Sequence, residues 1–432
     1  MFPAGTRRVA VVGGVRTPFA RSGTQLENLT SVELGGFAVK ELVARCELAG
    51  EEIDEVIYGT VIPSISRPNI AREVVFQAAL PPTIPASSVI MACASSNRAI
   101  TDGAERIALG LADIVVAGGA ESLSDVPVLF SREFARRLVR LSKAKTAAQK
   151  ARALAGFRPG ELAPHPPAIA EYTTGLSMGE SAEKMAKENG IPREAQDQFA
   201  LGSHEKAAAG WDKGVLAPEV APVPIPPKFD QMATTDNNIR RDSSLEQLAK
   251  LPPVFDKKFG TVTAGNSSPL TDGASAVLLM SEERARAEGR PILSFIRSWA
   301  YSAVDPSGQL LQGPAYAAPI ALDRAGLKLS DIGRVEMHEA FAAQVLSNLQ
   351  AFASEKFARE KLGRPRPLGE VDPAILNLYG GSIAIGHPFG ATGGRIVTTL
   401  SHELVRSGAQ FGLLTVCAAG GLGHAMVLER GD

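Results

Sequence analysis

Cysteine is scarce in this chain: three thiols, Cys46, Cys93 and Cys417, stand far apart among 432 residues and form no CxxC pair. An odd, scattered set of this kind builds neither a disulfide frame nor a structural zinc site, and it points to a reducing compartment. A charge excess of one sign is missing as well. The 45 basic and 46 acidic residues leave a net charge of −1, so no global field favours nucleic acid. Long apolar runs are also lacking. No segment reaches the ~18 residues of a membrane span, and the Val9–Val12 stretch is too short for a secretory signal. The expected location is the cytoplasm. What the chain does have is 45% hydrophobic residues, enough for a large core spread over two or three domains.

The order of the chain predicts α/β architecture. A β-branched strand at Arg8–Val12 is followed by a helix at Ser31–Arg45, a strand over Ile53–Ile62, a helix at Ile70–Ala79, a strand at Ser87–Ala92, a helix from about Arg98 to Gly110 and a buried strand at Asp113–Ala117. Such alternation predicts a largely parallel sheet covered on both faces. From Leu123 to about Pro253 the texture turns basic and proline-rich, which reads as an insertion; the earlier pattern resumes with a strand at Ala274–Met280. The last third echoes the first. Ile53–Gly59 aligns with Ile332–His338, and the Cys93 turn with its helix and strand aligns with Gly386–Gly394, Arg395–Ser407 and Phe411–Val416, as in a duplicated βαβ half. The expected domains are 1–122 plus 254–292, an inserted loop domain at 123–253, and 293–432.

Four chemistry-bearing stretches fall at predicted strand ends, where open parallel sheets bind ligands. Cys93 closes the run Ser88–Ala92 and opens a helix, a place where the helix dipole is expected to favour thiolate and lower a pKa that starts near ~8.5. His338 follows the strand Arg334–Met337, at the position where the first half has Gly59. His387 sits in the glycine-dense stretch Gly380–Gly393 with its backbone pinned by Pro388. Cys417 precedes Ala418-Ala419-Gly420-Gly421. By contrast His165, His204, His402 and His424 read as structural, and Gly420–Gly423 is no dinucleotide fingerprint because too little chain follows it.

Taken jointly, Val15–Phe19 (VRTPF), Gly265–Ala274 (GNSSPLTDGA), Gly386–Gly393 (GHPFGATG) and Cys417–Gly421 (CAAGG) resemble the thiolase family over essentially the whole length. The resemblance implies duplicated βαβ halves forming a five-layer αβαβα core with an inserted loop domain. It implies a degradative 3-ketoacyl-CoA thiolase, with Cys93 as nucleophile, His387 as its base and Cys417 as the acid/base at the α-carbon or leaving group. The N–H groups of Cys93 and Ala419 would form one oxyanion hole, and His338 with a water a second. Met178, Arg240, Ser268, Ala340 and Phe341 would neighbour CoA, which is a co-substrate; no metal or other cofactor is implied. Acyl-CoA and CoA are the expected ligands of a homodimer or homotetramer.

This chain departs from the usual pattern in two places, with His338 where most thiolases carry Asn and Ala419 where most carry Gly. The resulting HEAF motif (His338–Phe341) and the segment Ser124–Lys145 resemble the β-subunits of trifunctional oxidation complexes. That favours long or bulky acyl chains and implies a hydratase/dehydrogenase α-subunit as a partner. Competing readings are a biosynthetic acetoacetyl-CoA thiolase, a β-ketoacyl synthase, which would lack Cys417, and a Cys/His hydrolase. A non-catalytic acyl-CoA or lipid carrier would dispense with Cys93 or His387. Finally, Phe134, Leu138, Leu141, Ala144, Ala148, Ala151 and Leu154 mark one helical stripe from Arg132 to Phe157, interleaved with Arg136, Arg137, Arg140, Lys143, Lys145, Lys150 and Arg152. A basic amphipathic helix of this kind suits an anionic membrane surface or an acidic partner, or stays solvated over the active-site entrance and only draws in CoA phosphates with its positive field.

Overall fold

In the computed structural model, which describes residues 5–164 and 170–431, the frame is carried by β1 (Val9–Arg16), β2 (Glu55–Gly59), β3 (Ala86–Val89), β4 (Ile114–Glu121), β5 (Thr271–Ser281), β6 (Ser294–Ala303), β7 (Arg334–Met337), β8 (Phe411–Ala418) and β9 (Leu422–Arg430). His165 lies outside the described residues. These strands join in the order β7-β8-β9-β6-β1-β5-β4-β2-β3. The sheet is mixed, where the sequence predicted a largely parallel one. The pairs β2–β3, β2–β4 and β7–β8 are parallel, whereas β5, β6 and β9 run antiparallel to their neighbours. The β8–β9 hairpin closes directly at Gly420-Gly421, both with positive φ, leaving no room for a crossover helix.

Layering follows from the alternation of side chains along each strand. Val9 and Val11 of β1 pack inward with Ile100 and Ile107 of α2 (Ser95–Ala108) and with Ile396, Leu400 and Leu404 of α9 (Thr392–Ser407). Ala10 and Val12 face the other way, onto Leu34, Val39 and Leu42 of α1 (Ser31–Arg45). Beyond the second half of the sheet, Ala318 and Leu322 of α7 (Gly313–Ala325) and Val345 and Phe352 of α8 (Ala342–Ala353) cover Val335, Leu413 and Val427. Helix, sheet, a central helix pair, sheet and helix again make the five layers, each fully buried Leu or Ile contributing roughly 1.5–3 kcal/mol.

The duplication is visible in register. Glu55 lies opposite Val115, and Arg334 opposite Gly412, both in parallel ladders. Gly59 therefore corresponds to His338 and Ala120 to Cys417. Among the described residues of the second half no strand takes the place of β3; a parallel bridge, Val335 to Leu376, stands there.

The segment between β4 and β5 carries α3 (Arg132–Lys143), α4 (Ala147–Leu154), α5 (Met178–Glu188) and α6 (Arg193–Asp212). One helix from Arg132 to Phe157 was expected; the structure has two. Ala144 is extended, and Thr146 opens α4 with a capping box to Gln149, so a local N-cap wins over the continuous stripe. Arg137 turns inward to bond Glu161 at 2.8 Å and the carbonyls of Ala155 and Gly156, and so leaves the basic face.

Candidate active site

The strand leading to Cys93 is shorter than Ser87–Ala92, ending at Val89 with Ile90 exposed. The chain then makes a tight turn in which Ala92 takes φ 45°, a left-handed conformation costly for a residue with a Cβ. Ser95 secures the turn: its Oγ accepts from Met91 N–H at 2.9 Å and donates to Ala92 O at 2.7 Å. Cys93, half-buried, stands just ahead of α2. The expected lowering of its pKa does not occur. Burial pushes the thiol up to about 12, outweighing the N–H groups of Ala419 and of Cys93 itself, which point at the sulfur and favour thiolate. At rest this residue is a neutral thiol.

His387 is fixed from three sides. Its backbone N–H donates to Thr271 Oγ1 at 3.0 Å, its Nδ1 meets Thr392 Oγ1 at 2.6 Å, and its Nε2 lies 3.1 Å from Cys93 Sγ. Because Thr392 spends its own hydroxyl proton on Pro388 O at 3.0 Å, it accepts from Nδ1–H, which leaves the Nε2 lone pair facing the thiol. Burial, with Arg395 adding to it, holds the ring down to about 3. The turn below it is clamped by Glu121, which ends β4. This carboxylate accepts from Gly390 N–H at 3.0 Å, Val61 N–H at 2.8 Å, Ile62 N–H at 3.0 Å and Thr60 Oγ1 at 3.1 Å, and burial raises it to about 7. The fit is tight enough that a Cβ on Gly119 would meet Gly390 O at 2.0 Å.

His338 sits beside His387, ring centroids 4.1 Å apart. Its Nδ1 meets Ser382 Oγ at 2.8 Å, and Ser382 also accepts from Arg395 Nη2 at 3.3 Å. With Arg395 donating, the serine hydroxyl donates to Nδ1, so Nε2 carries the proton; that atom is buried and has no partner among the described residues. Burial, then the neighbouring His387, keeps His338 neutral, well below its ordinary pKa. Glu339 ties the loop to the glycine turn through Ser203 Oγ at 2.7 Å, Asn377 Nδ2 at 2.7 Å and Ile383 N–H at 3.3 Å. Cys417, at the end of β8, is buried, and burial together with nearby Cys93 raises its pKa well above the ordinary thiol value.

Of the residues expected near CoA, Met178, Ala340 and Phe341 cluster with Cys417. Ser268 N–H donates to Ala340 O at 2.9 Å, and Phe341 meets Phe255 edge-on at 6.2 Å. Arg240 is exposed, and its N–H donates to Nδ1 of His204 at 3.1 Å, while nearby Asn238 reaches Ile385 O at 3.0 Å. Arg241 pairs with Asp212 at 2.9 Å instead. His204, pushed down to about 4 by burial, and His424, its ring 4.6 Å from that of Tyr301, are both buried. Sequence reasoning missed Glu121, Ser382, Thr392, Arg395 and Glu339. Ser382 and Thr392 lay inside the glycine-dense stretch already singled out, and Glu121 lay beyond the strand read as Asp113–Ala117, past its glycine turn.

The family model for the thiolase N-terminal domain matches residues 9–283, and that for the thiolase C-terminal domain residues 290–430. A 3-ketoacyl-CoA thiolase of Erwinia tasmaniensis is 51% identical over 422 residues, covering 98% of this chain and 96% of that protein. Among solved structures, an acetyl-CoA acetyltransferase of Bacillus anthracis superposes with TM-score 0.85 at 31% identity, covering 98% of this chain and 99% of that one. A human mitochondrial 3-ketoacyl-CoA thiolase in complex with CoA gives 0.83 at 32% identity, covering 99% and 98%.

Proposed function

The chain belongs to the thiolase family, and from that premise we propose how its residues divide the reaction. It is a 3-ketoacyl-CoA thiolase, cleaving 3-ketoacyl-CoA with CoA to acetyl-CoA and a shortened acyl-CoA. His387 Nε2 takes the Cys93 proton while Sγ attacks the 3-keto carbon, and the N–H groups of Cys93 and Ala419 receive the oxyanion. Since burial favours the neutral form of both partners, the proton moves as the C–S bond forms rather than beforehand. Collapse breaks the bond between C2 and C3. The departing enolate is held at its thioester oxygen by His338 Nε2–H and protonated at C2 by the Cys417 thiol. Cys417 thiolate then deprotonates incoming CoA, whose sulfur attacks the acyl-Cys93 thioester, and Cys93 leaves as thiolate to recover its proton from His387.

The 3.1 Å contact between His387 Nε2 and Cys93 Sγ, with the tautomer set by Thr392, carries this reading. Mass spectrometry after exposure to 3-ketoacyl-CoA without free CoA is expected to place the acyl group on the Cys93 peptide. An adduct on Cys417 would exchange the two roles. In this division residues 1–122 with 254–292 supply the nucleophile, 123–253 contact CoA through Met178 and Arg240, and 293–432 supply His338, His387 and Cys417.

CoA and acyl-CoA are its substrates, and long or bulky chains are the class we assign from His338. We assign the chain a dimeric or tetrameric state; the four residues of edge strand β3 are half-buried, next to Ile90 at 60% exposure, which suits pairing across a two-fold axis. Sedimentation as a monomer would overturn that. No helix among the described residues is long and apolar enough to cross a membrane. The α3–α4 hairpin instead offers Arg136, Arg140 and Lys143 beside exposed Val128, Leu129 and Phe130, which favours peripheral association of a cytoplasmic enzyme with anionic lipid; an acidic hydratase/dehydrogenase subunit is the alternative occupant.

A further inference from the structure

The same group of side chains has the donor set of a metal site. The Cys93 sulfur and one ring nitrogen from each of His338 and His387 lie within 4.8 Å of one another. A tetrahedral zinc ion, with bonds of about 2.3 Å to sulfur and about 2.0–2.1 Å to imidazole, needs donors about 3.3–3.6 Å apart. Closing this triangle takes shifts of about an ångström. Two further observations point to a ligand. His338 Nε2 is fully buried with no partner among the described residues, and both rings already have an oxygen on the other nitrogen, Ser382 Oγ at 2.8 Å and Thr392 Oγ1 at 2.6 Å. That outer arrangement is the one that orients metal-bound histidines.

We propose that zinc captures Cys93, His338 and His387 as a three-ligand site with its fourth position left to water, and so switches the enzyme off reversibly. The inference rests on the dyad reading above, because the zinc takes the nucleophile and its base together. Binding forms one Zn–S and two Zn–N bonds and releases the thiol proton to the buffer. On His338 the proton moves from Nε2 to Nδ1, where Ser382 Oγ accepts it. The substitution that separates this chain from the usual Asn-bearing pattern supplies the third ligand, so zinc sensitivity is a property of the His338 variant. A thiolase with Asn there would offer a weaker, two-ligand site.

The test is titration of the chelator-treated full-length protein with zinc against a chromophoric chelator, and with cobalt(II) as a spectroscopic stand-in. The expected result is one zinc per chain, a thiolate-to-cobalt charge-transfer band, and at least tenfold weaker zinc binding in His338→Asn. Pre-acylation of wild-type Cys93 with acyl-CoA is expected to block uptake, a check that does not depend on any variant folding. Unchanged stoichiometry in acylated protein, a cobalt spectrum without sulfur character, or equal affinity in His338→Asn would overturn the site. Acyl transfer to Cys93 in metal-free buffer separately tests the functional reading, so the failure of one is distinguishable from failure of the other.

Discussion

The two halves of this molecule share a ladder but not a chemistry. At the end of β2 the first half has Gly59, and at the matching end of β7 the second has His338; Ala120 on β4 answers to Cys417 on β8. Packing explains the difference. A Cβ on Gly59 would meet Ser95 carbon atoms at 2.8 Å, and one on Gly119 would meet Gly390 O at 2.0 Å. These two positions of the first half are crowded by the turn that presents Cys93 and by the loop that presents His387, and they carry no reactive side chains. In the second half, His338 and Cys417 lie beside His387 and Cys93 and are both reactive. On the proposed mechanism, the duplicated fold has one half that presents the nucleophile and another that manages its protons.

If that division is right, Cys93→Ala should have the largest effect of any single change, at least about 10⁴-fold in turnover with no acyl adduct by mass spectrometry. His387→Ala comes next, with an expected loss of about 10²–10⁴-fold. Because the His387 pKa is lowered to about 3, its base form persists in acid, and kcat/KM should show no limb with a midpoint near 6.5 from this group. Stability carries the opposite record. Between pH 6.5 and 3 the unfolded ring binds a proton that the native ring refuses, so stability rises with pH and is lost as pH falls through that window. Melting curves from pH 7.5 to 5 should therefore show wild type losing stability relative to His387→Ala as the buffer is acidified. A constant difference between the two would mean that His387 is solvated.

His338→Ala removes one oxyanion donor and should cost about 10²–10³-fold in turnover. Cys417→Ala sharpens the comparison further. It should leave acylation of Cys93 by a saturated acyl-CoA measurable while abolishing α-proton exchange on acetyl-CoA, because only the second half handles the carbanion. Exchange at the native rate would reduce Cys417 to the packing role of its counterpart, Ala120.

Cys93, His338 and Cys417 come at or just past strand ends as expected, whereas His387, expected at one too, follows the short helix Ser382–Ile385; the positions of all four, and the roles that resemblance implies for them, were legible. Their electrostatics were not. Helix position alone argued for a thiolate at Cys93, but burial depends on Ala419 and the His387 loop folding over the sulfur from the other half, which no local pattern reveals. Strand direction failed for a similar reason. Of β5, β6 and β9 only β5 was legible, as Ala274–Met280, and an apolar run of that kind is compatible with either direction; β6 and β9 were not read as strands, and the short β8–β9 turn is what sets that pair antiparallel. Ser382 and Arg395 were invisible because their value lies in a tautomer set across the space between a loop and a helix.

The smallest effect on catalysis is expected where the first half has an element without counterpart in the second. The α3–α4 hairpin is held by Phe134 against Phe130 and Phe157, at 5.1 and 5.7 Å, and by Arg137 on Glu161. Those contacts are internal to the insertion. Arg136 and Arg140 are exposed on α3, so Arg136→Gln with Arg140→Gln should leave folding and kcat within about twofold of wild type, as surface substitutions usually do. Arg137 must be kept, since removing it would loosen the hairpin and confuse the result. Flotation with anionic vesicles should lose roughly 1 kcal/mol of binding per arginine at low salt, and both proteins should detach as salt is raised. Wild type that fails to float with anionic vesicles at low salt would remove the lipid surface and leave the acidic subunit as the hairpin's occupant. A fall in kcat/KM that disappears at high salt would instead tie the hairpin's field to CoA capture, joining the inserted element to the reaction that the two halves share.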